Sequence, residues 1–180
     1  MKNSITKLAL VGTLVALTSL SALAGAPFTS IEGYGGAAFN PLAWPSGQNK
    51  TEGDESLISN PQIGVWYVNL GDVDVDWTAL GAGVTVADRL ELSYAYELIA
   101  PNGKNLTKNN VGAKVNLLRE NTGSAATPAI SVGAVYKTIS DTAEGIDDND
   151  FDYYVVATKL ITQTPVPVVL SGAHCPLRRA

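Results

Sequence analysis

The sequence predicts an all-β fold: an up-and-down antiparallel sheet of about eight strands, curled as a transmembrane β-barrel that is either closed or incomplete. Three observations predict it. Apolar residues recur with a period of two, and no stretch after Gly25 keeps a helical spacing with caps at both ends. Several of the alternating runs reach about ten residues, enough to cross a barrel's apolar band, where ordinary strands average about five or six. Turn-forming residues separate the runs, as at Gly71-Asp72, Ala87-Asp88, Pro101-Asn102-Gly103, Asn121-Thr122-Gly123 and Thr164-Pro165.

The first element stands apart from the fold. Lys2 and Lys7 make a positive start, Leu8 to Leu20 is apolar and uncharged, and Ala22-Leu23-Ala24 supplies small residues for signal peptidase. The apolar run falls short of the roughly 20 residues of a membrane anchor. Residues 1–24 therefore read as a signal peptide, with a mature chain starting near Gly25 beyond the cytoplasmic membrane.

A single β-barrel domain is expected over residues 25–172. Residues 31–39 make a first, weakly marked strand, and residues 62–70 a second by their Ile, Val, Trp and Tyr content. Val73, Val75, Trp77 and Ala79 then alternate with Asp72, Asp74, Asp76 and Thr78. The clearest run sets Leu90, Leu92, Tyr94 and Tyr96 against Arg89, Glu91, Ser93, Ala95 and Glu97. Val111, Ala113, Val115 and Leu117 oppose Asn110, Gly112, Lys114 and Asn116, and similar runs follow over 129–137 and 153–160. A last strand is expected over 166–172. Pro165 and Pro167 make it a poor closing partner, so the first and last strands are expected not to be fully hydrogen-bonded to each other.

Periodicity alone does not say which face is wet. The polar face mixes Gly, Ser, Ala, Asn and Thr with sparse charge, which suits a crowded interior. Trp66, Trp77, Tyr67, Tyr94, Tyr96, Tyr136, Tyr153 and Tyr154 all fall in strands, as interfacial girdles require. With the export signal, these features favour apolar residues facing outer-membrane lipid and polar residues lining a lumen.

Composition excludes other classes. The chain has 180 residues, a net charge of -5, 46% hydrophobic and 16% charged residues, one Cys and one His. Nothing supplies a cationic stripe for nucleic acid. A single Cys175 excludes a disulfide scaffold or a Cys/His metal cluster, and the apolar content argues against disorder. His174 lacks a visible oriented partner, so neither an enzyme nor a cofactor is expected.

Residues 29–43, with Ile31-Glu32-Gly33-Tyr34-Gly35-Gly36 at their centre, resemble a Gram-negative family of unknown function. So do Trp66-Tyr67-Val68-Asn69-Leu70-Gly71-Asp72 with the residues up to Trp77, Asp88-Arg89-Leu90-Glu91-Leu92-Ser93-Tyr94, and Val156-Ala157-Thr158-Lys159-Leu160-Ile161-Thr162. That family is regarded as an outer-membrane β-barrel, porin- or transporter-like, and the resemblance runs from about residue 29 to 172. It implies fold and location and carries over no catalytic or ligand residue. Residues 173–180 depart from it: they hold His174, Cys175, Arg178 and Arg179 and lack a terminal aromatic. They read as the mark of a truncated or frameshifted reading frame, with a genuine short tail as the alternative.

The candidate lumen-lining residues are Asp72, Asp74, Asp76, Arg89, Glu91, Lys114 and Lys159. The three aspartates alternate along one strand about 7 Å apart. They would form a cation-attracting element or calcium site if inward, and a polar strand end otherwise. Arg89, Glu91, Lys114 and Lys159 could form a charge network, because a Lys or Arg at the lipid midplane costs about 2–4 kcal/mol. Residues 148–159 fail as a calcium loop, with Tyr153 at the glycine position and Lys159 at the glutamate position. Gly33, Gly35 and Gly36 lack the spacing of a phosphate loop and point to close backbone packing.

The expected function is a passive pore or a small-solute transporter in the outer membrane. About eight strands leave no aqueous channel, which keeps two alternatives open: a structural or adhesion surface barrel, and a soluble periplasmic β-barrel binding module.

Overall fold

The computed structural model describes residues 29–47, 56–71, 74–101, 105–140 and 148–174. Residues 1–28, the Asp72–Val73 pair and Cys175 to Ala180 lie outside them, and with them the expected signal peptide and most of the tail. Nine strands are present among the described residues: β1 (Gly36–Ala37), β2 (Asn40–Pro41), β3 (Gln62–Leu70), β4 (Val75–Val86), β5 (Leu90–Pro101), β6 (Leu106–Leu118), β7 (Ala129–Ile139), β8 (Asn149–Ile161) and β9 (Val168–His174). The last seven form one antiparallel sheet in sequence order, curled into a half-barrel; β1 and β2 form a separate hairpin.

The up-and-down order follows from short connections between alternating runs. At the β4–β5 turn, Ala87 and Asp88 both have positive φ, 50° and 56°, as a type I′ hairpin turn demands. The strands themselves are long, β6 and β8 having 13 residues each. Among the described residues β3 pairs only with β4 and β9 only with β8, so the sheet has two open edges. With an odd number of antiparallel strands, β3 and β9 run in the same direction.

Residues 31–39 are not a strand of this sheet, which corrects the expectation of a first wall strand there. They belong to an inner segment, residues 29–47, that lies in the concavity of the half-barrel. Its hairpin is brief, and most of its backbone runs irregularly. Glycine lets it approach the wall closely. Gly33 has φ +91°, and a Cβ there would lie 2.5 Å from the Tyr94 carbonyl oxygen of β5. Gly81 on β4 faces it, where a Cβ would lie 2.9 Å from Gly33 Cα.

The two faces of the sheet differ in the inverted sense. Convex-side Val65, Leu80, Leu92, Tyr94, Val111, Tyr136 and Val155 are exposed. The concave phase carries Thr85, Glu91, Ser93, Glu97, Asn110, Lys114, Asn116 and Ser131, all buried. The apolar interior is small: Tyr34, Leu42, Ala43 and Trp44 of the inner segment pack on Ala129, Val135, Tyr154 and Val156 of β7 and β8.

The strand aromatics divide between the faces. Tyr67, Tyr94, Tyr96, Tyr136 and Tyr153 point outward and are exposed. Trp66, Trp77 and Tyr154 point inward, against the expectation that all eight sit in girdles, because the inner segment offers them apolar or hydrogen-bonding partners. Trp77 lies 5.3 Å from Phe39 and Tyr154 lies 5.6 Å from Tyr34, ring to ring. Trp66 Nε1 donates to the Thr29 carbonyl at 2.9 Å. Register places Tyr94, Val111, Tyr136 and Phe151 side by side on β5 to β8, a single outward row that crosses the middle of β5 and β6 and reaches the start of β8.

Candidate lumen site

An irregular inner segment leaves many backbone N–H and C=O groups without ladder partners, and such groups must be satisfied when buried. Here the wall satisfies them with side chains, and every one of its seven strands contributes. Gln62 of β3 accepts from Gly47 N, and Thr85 of β4 donates to the Ser46 carbonyl. Asn116 of β6 and Ser131 of β7 both donate to the Ala43 carbonyl. Thr158 Oγ1 of β8 accepts from Ala43 N at 2.8 Å, and Ser171 of β9 donates to the Pro41 carbonyl.

Glu91 and Lys114 stand at the centre of this arrangement. Glu91 lies on β5 and Lys114 directly opposite it on β6. Both side chains are fully buried, with Nζ 2.8 Å from Oε2. Glu91 accepts from Gly35 N at 2.9 Å and from Ser46 N at 2.6 Å. Lys114 donates to the Gly35 carbonyl at 2.9 Å and the Trp44 carbonyl at 3.1 Å. A buried ion pair persists when its remaining donors and acceptors are also used, and here the inner segment uses them. Two of the seven expected lumen residues thus meet as a pair.

A second charged group lies nearer the end of the sheet where β5 leads into β6 and β7 into β8. Glu97 of β5 and Lys108 of β6 are opposed in register and paired at 3.1 Å. Lys137 of β7 pairs with Asp152 of β8 at 2.6 Å. From the inner segment, Glu32 places Oε1 against both ammonium groups, 3.0 Å from Lys108 Nζ and close to Lys137 Nζ. Tyr34 Oη donates to Glu32 Oε2 at 3.2 Å and to the Phe39 carbonyl at 3.1 Å. Burial works against an ionised Glu32, but Lys108 and Lys137 outweigh it and hold this carboxyl below its ordinary value of 4.5. Burial, and then the adjoining Glu32 charge, raise the Tyr34 phenol well above its ordinary range, so it stays a donor.

The other expected residues are elsewhere. Asp72 lies outside the described residues. Asp74 occupies the turn before β4 with φ 51° and is exposed. Asp76 is exposed on the outward phase of β4, where Tyr67 Oη and Asn69 Nδ2 each donate to Oδ1 at 2.7 Å. It is not inward, because Trp77 and Ala79 take the inward phase against the inner segment. Arg89 sits in the β4–β5 turn and donates to the Asn116 and Leu117 carbonyls. Lys159 lies at the rim, outward in phase, and pairs with Glu120 at 3.0 Å. Neither joins the charges inside.

Glu32, Glu97, Lys108, Lys137 and Asp152 were not among the expected lumen residues. Glu97 could have been found, since it shares the phase of Glu91 on one strand. Lys108, Lys137 and Asp152 come from separate strands whose register no single run reveals, and Glu32 comes from the inner segment, where the sequence predicts a strand.

Neither the curated proteins nor the solved structures include a match to this chain. Residues 25–170 match one family, described as a protein of unknown function (DUF3034). That span takes in the inner segment and nearly all of the wall, and the chain belongs to the DUF3034 family.

Proposed function

We propose that this chain is an outer-membrane β-barrel protein that passes small solutes, with its lumen narrowed by residues 29–47. One observation carries the reading: the convex face carries exposed large apolar side chains on every one of the seven strands, while the concave face holds buried charges such as Glu91, Glu97 and Lys114. A soluble β-domain would bury the former and wet the latter. Open strand edges support a barrel that continues beyond β3 and β9, because unpaired backbone is not tolerated in lipid.

The inner segment changes the kind of passage. An open passive pore would leave the inward polar groups to water, and here they are spent on the segment's backbone. The geometry therefore favours a narrowed transporter over a wide pore. A structural or surface barrel is the second reading, favoured by that same filling.

Site-directed spin labelling in reconstituted bilayers tests the orientation, on a Cys175→Ser background. Nitroxides at Leu92 and Val115 should relax with oxygen rather than with a water-soluble nickel chelate, and one at Thr122 the reverse. Nickel accessibility at Leu92 and Val115 would refute membrane embedding. Solute-dependent conductance in planar bilayers then separates transporter from structural barrel.

A further inference from the structure

We propose that Lys108 and Lys137 form a carboxylate-binding site on the concave face, occupied in this structure by the chain's own Glu32. Charge balance is the first ground. Lys108 already has Glu97 and Lys137 already has Asp152 as wall partners. The wall group is neutral without Glu32, and the incoming carboxylate is an extra anion rather than a missing half of a pair.

Geometry is the second ground. Both ammonium groups converge on one oxygen of Glu32, and the Tyr34 hydroxyl meets the other. Three donors around two carboxylate oxygens is how a protein binds a free carboxylate. Glu32 is also the only charged residue between Thr29 and Gly47, so it stands there as a lone ligand group on a neutral strap. Access is the third ground. The side chains of Lys108, Glu32 and Lys137 are 12%, 16% and 16% exposed, whereas Glu91 and Lys114 are sealed. Glu97, Asp152 and the amide of Asn110 also face the group, and the two acids disfavour a multiply charged anion. The class of ligand is accordingly a small monocarboxylate.

This site rests on the transporter reading only for its route of access; binding is read on purified protein in detergent. Glu32→Ala removes the resident carboxylate. Refolding yield and thermal midpoint of that variant should rise saturably with acetate or propionate. Propionamide, or chloride at matched ionic strength, should not produce the rise, and adding Lys137→Met should abolish it. The unaltered protein should show no such rise, since its site is filled. An equal response to chloride or propionamide, no response to either carboxylate, or a response that survives Lys137→Met would overturn the proposal. Where Glu32→Ala does not fold in chloride, the yield restored by propionate is itself the readout, and failure to restore it is refutation. If the spin labels report a lipid-facing wall while rescue fails, the carboxylate site alone is wrong.

Discussion

The Glu91–Lys114 pair offers the sharpest test of how the inner segment is held. Replacing Lys114 with Met leaves Glu91 fully buried without its cation, and also removes the donors to the Gly35 and Trp44 carbonyls. Breaking one side of a buried pair costs about 3–5 kcal/mol. Glu91→Leu strands the ammonium and leaves Gly35 N and Ser46 N without acceptors, with a cost in the same range of about 3–5 kcal/mol. If the two residues acted independently, the double variant would lose roughly the sum.

They do not act independently, since each neutralises the other. Combining Glu91→Leu with Lys114→Met removes both charges together, leaving only backbone groups of the inner segment without those partners. The Gly35 carbonyl still accepts from Leu42 N at 3.1 Å, which leaves Gly35 N, Ser46 N and the Trp44 carbonyl to satisfy. Such neutral groups cost about 1–3 kcal/mol each only while they stay buried, and the segment can lift to hydrate them. The double variant should therefore be no worse than the harsher single, a coupling of about 3 kcal/mol or more, at or above the top of the roughly 0.5–3 kcal/mol range for contacting residues. Denaturant titration in detergent micelles measures the three free energies, with equal slopes required for comparison. Amide exchange at Gly35 and Ser46 should locate the loss in the inner segment. Additive losses, or single variants costing less than about 1 kcal/mol, a cost typical of unpaired surface sites, would refute the clamp.

Three further outcomes follow from the same geometry. Arginine at Val111, in the middle of β6, should cost about 2–4 kcal/mol in bilayers and arginine at Leu117, next to the last residue of that strand, about 0–1 kcal/mol; equal costs measured by unfolding in lipid would contradict the assigned depth. Gly33→Ala combines a φ of +91° with a Cβ 2.5 Å from the Tyr94 carbonyl, and should lose about 1–3 kcal/mol or more in the same assay; no loss would mean the segment does not touch β5. Because Glu32 has its carboxyl held below 4.5, the stability it contributes is complete above that pH and is lost as pH falls through the lowered value. Protease protection of the inner segment should fall in acid, and the wild-type-minus-Glu32→Gln difference should be flat above pH 5 and shrink below about 4.5.

The wall was legible because its physics is local. A period of two, long runs and turn residues mark β3 to β8, and residues 62–70 coincide with β3. Even the inverted polarity was readable, since Leu90 to Tyr96 alternate with Glu91 to Glu97. The inner segment was not legible, because Ile31, Tyr34 and Phe39 give residues 31–39 the look of a weak wall strand. Its warnings were Gly33, Gly35, Gly36, Pro41 and Pro45, too dense in glycine and proline for a strand interior. The phase of the β4 aspartates was misread for a related reason. On an inverted wall Trp77 belongs outside, which would put Asp76 within; the inner segment reverses this by giving Trp77 an apolar partner, Phe39, inside.

That reversal bears on what polar residues in a lumen mean. Thr85, Glu91, Lys114, Asn116, Ser131 and Thr158 look like the lining of a water-filled passage, yet each is bonded to the backbone of residues 29–47. They replace the ladder that an irregular segment cannot make for itself, and replacing them with apolar residues would leave that backbone unsatisfied. Chemistry directed at a solute must therefore come from groups the segment does not need for its own satisfaction. The described interior offers such a place in two lysines already neutralised by the wall, closed over by a single carboxylate whose side chain still reaches solvent. On the proposed transport function, a solute carrying a carboxylate would compete with Glu32 for these lysines and release the strap.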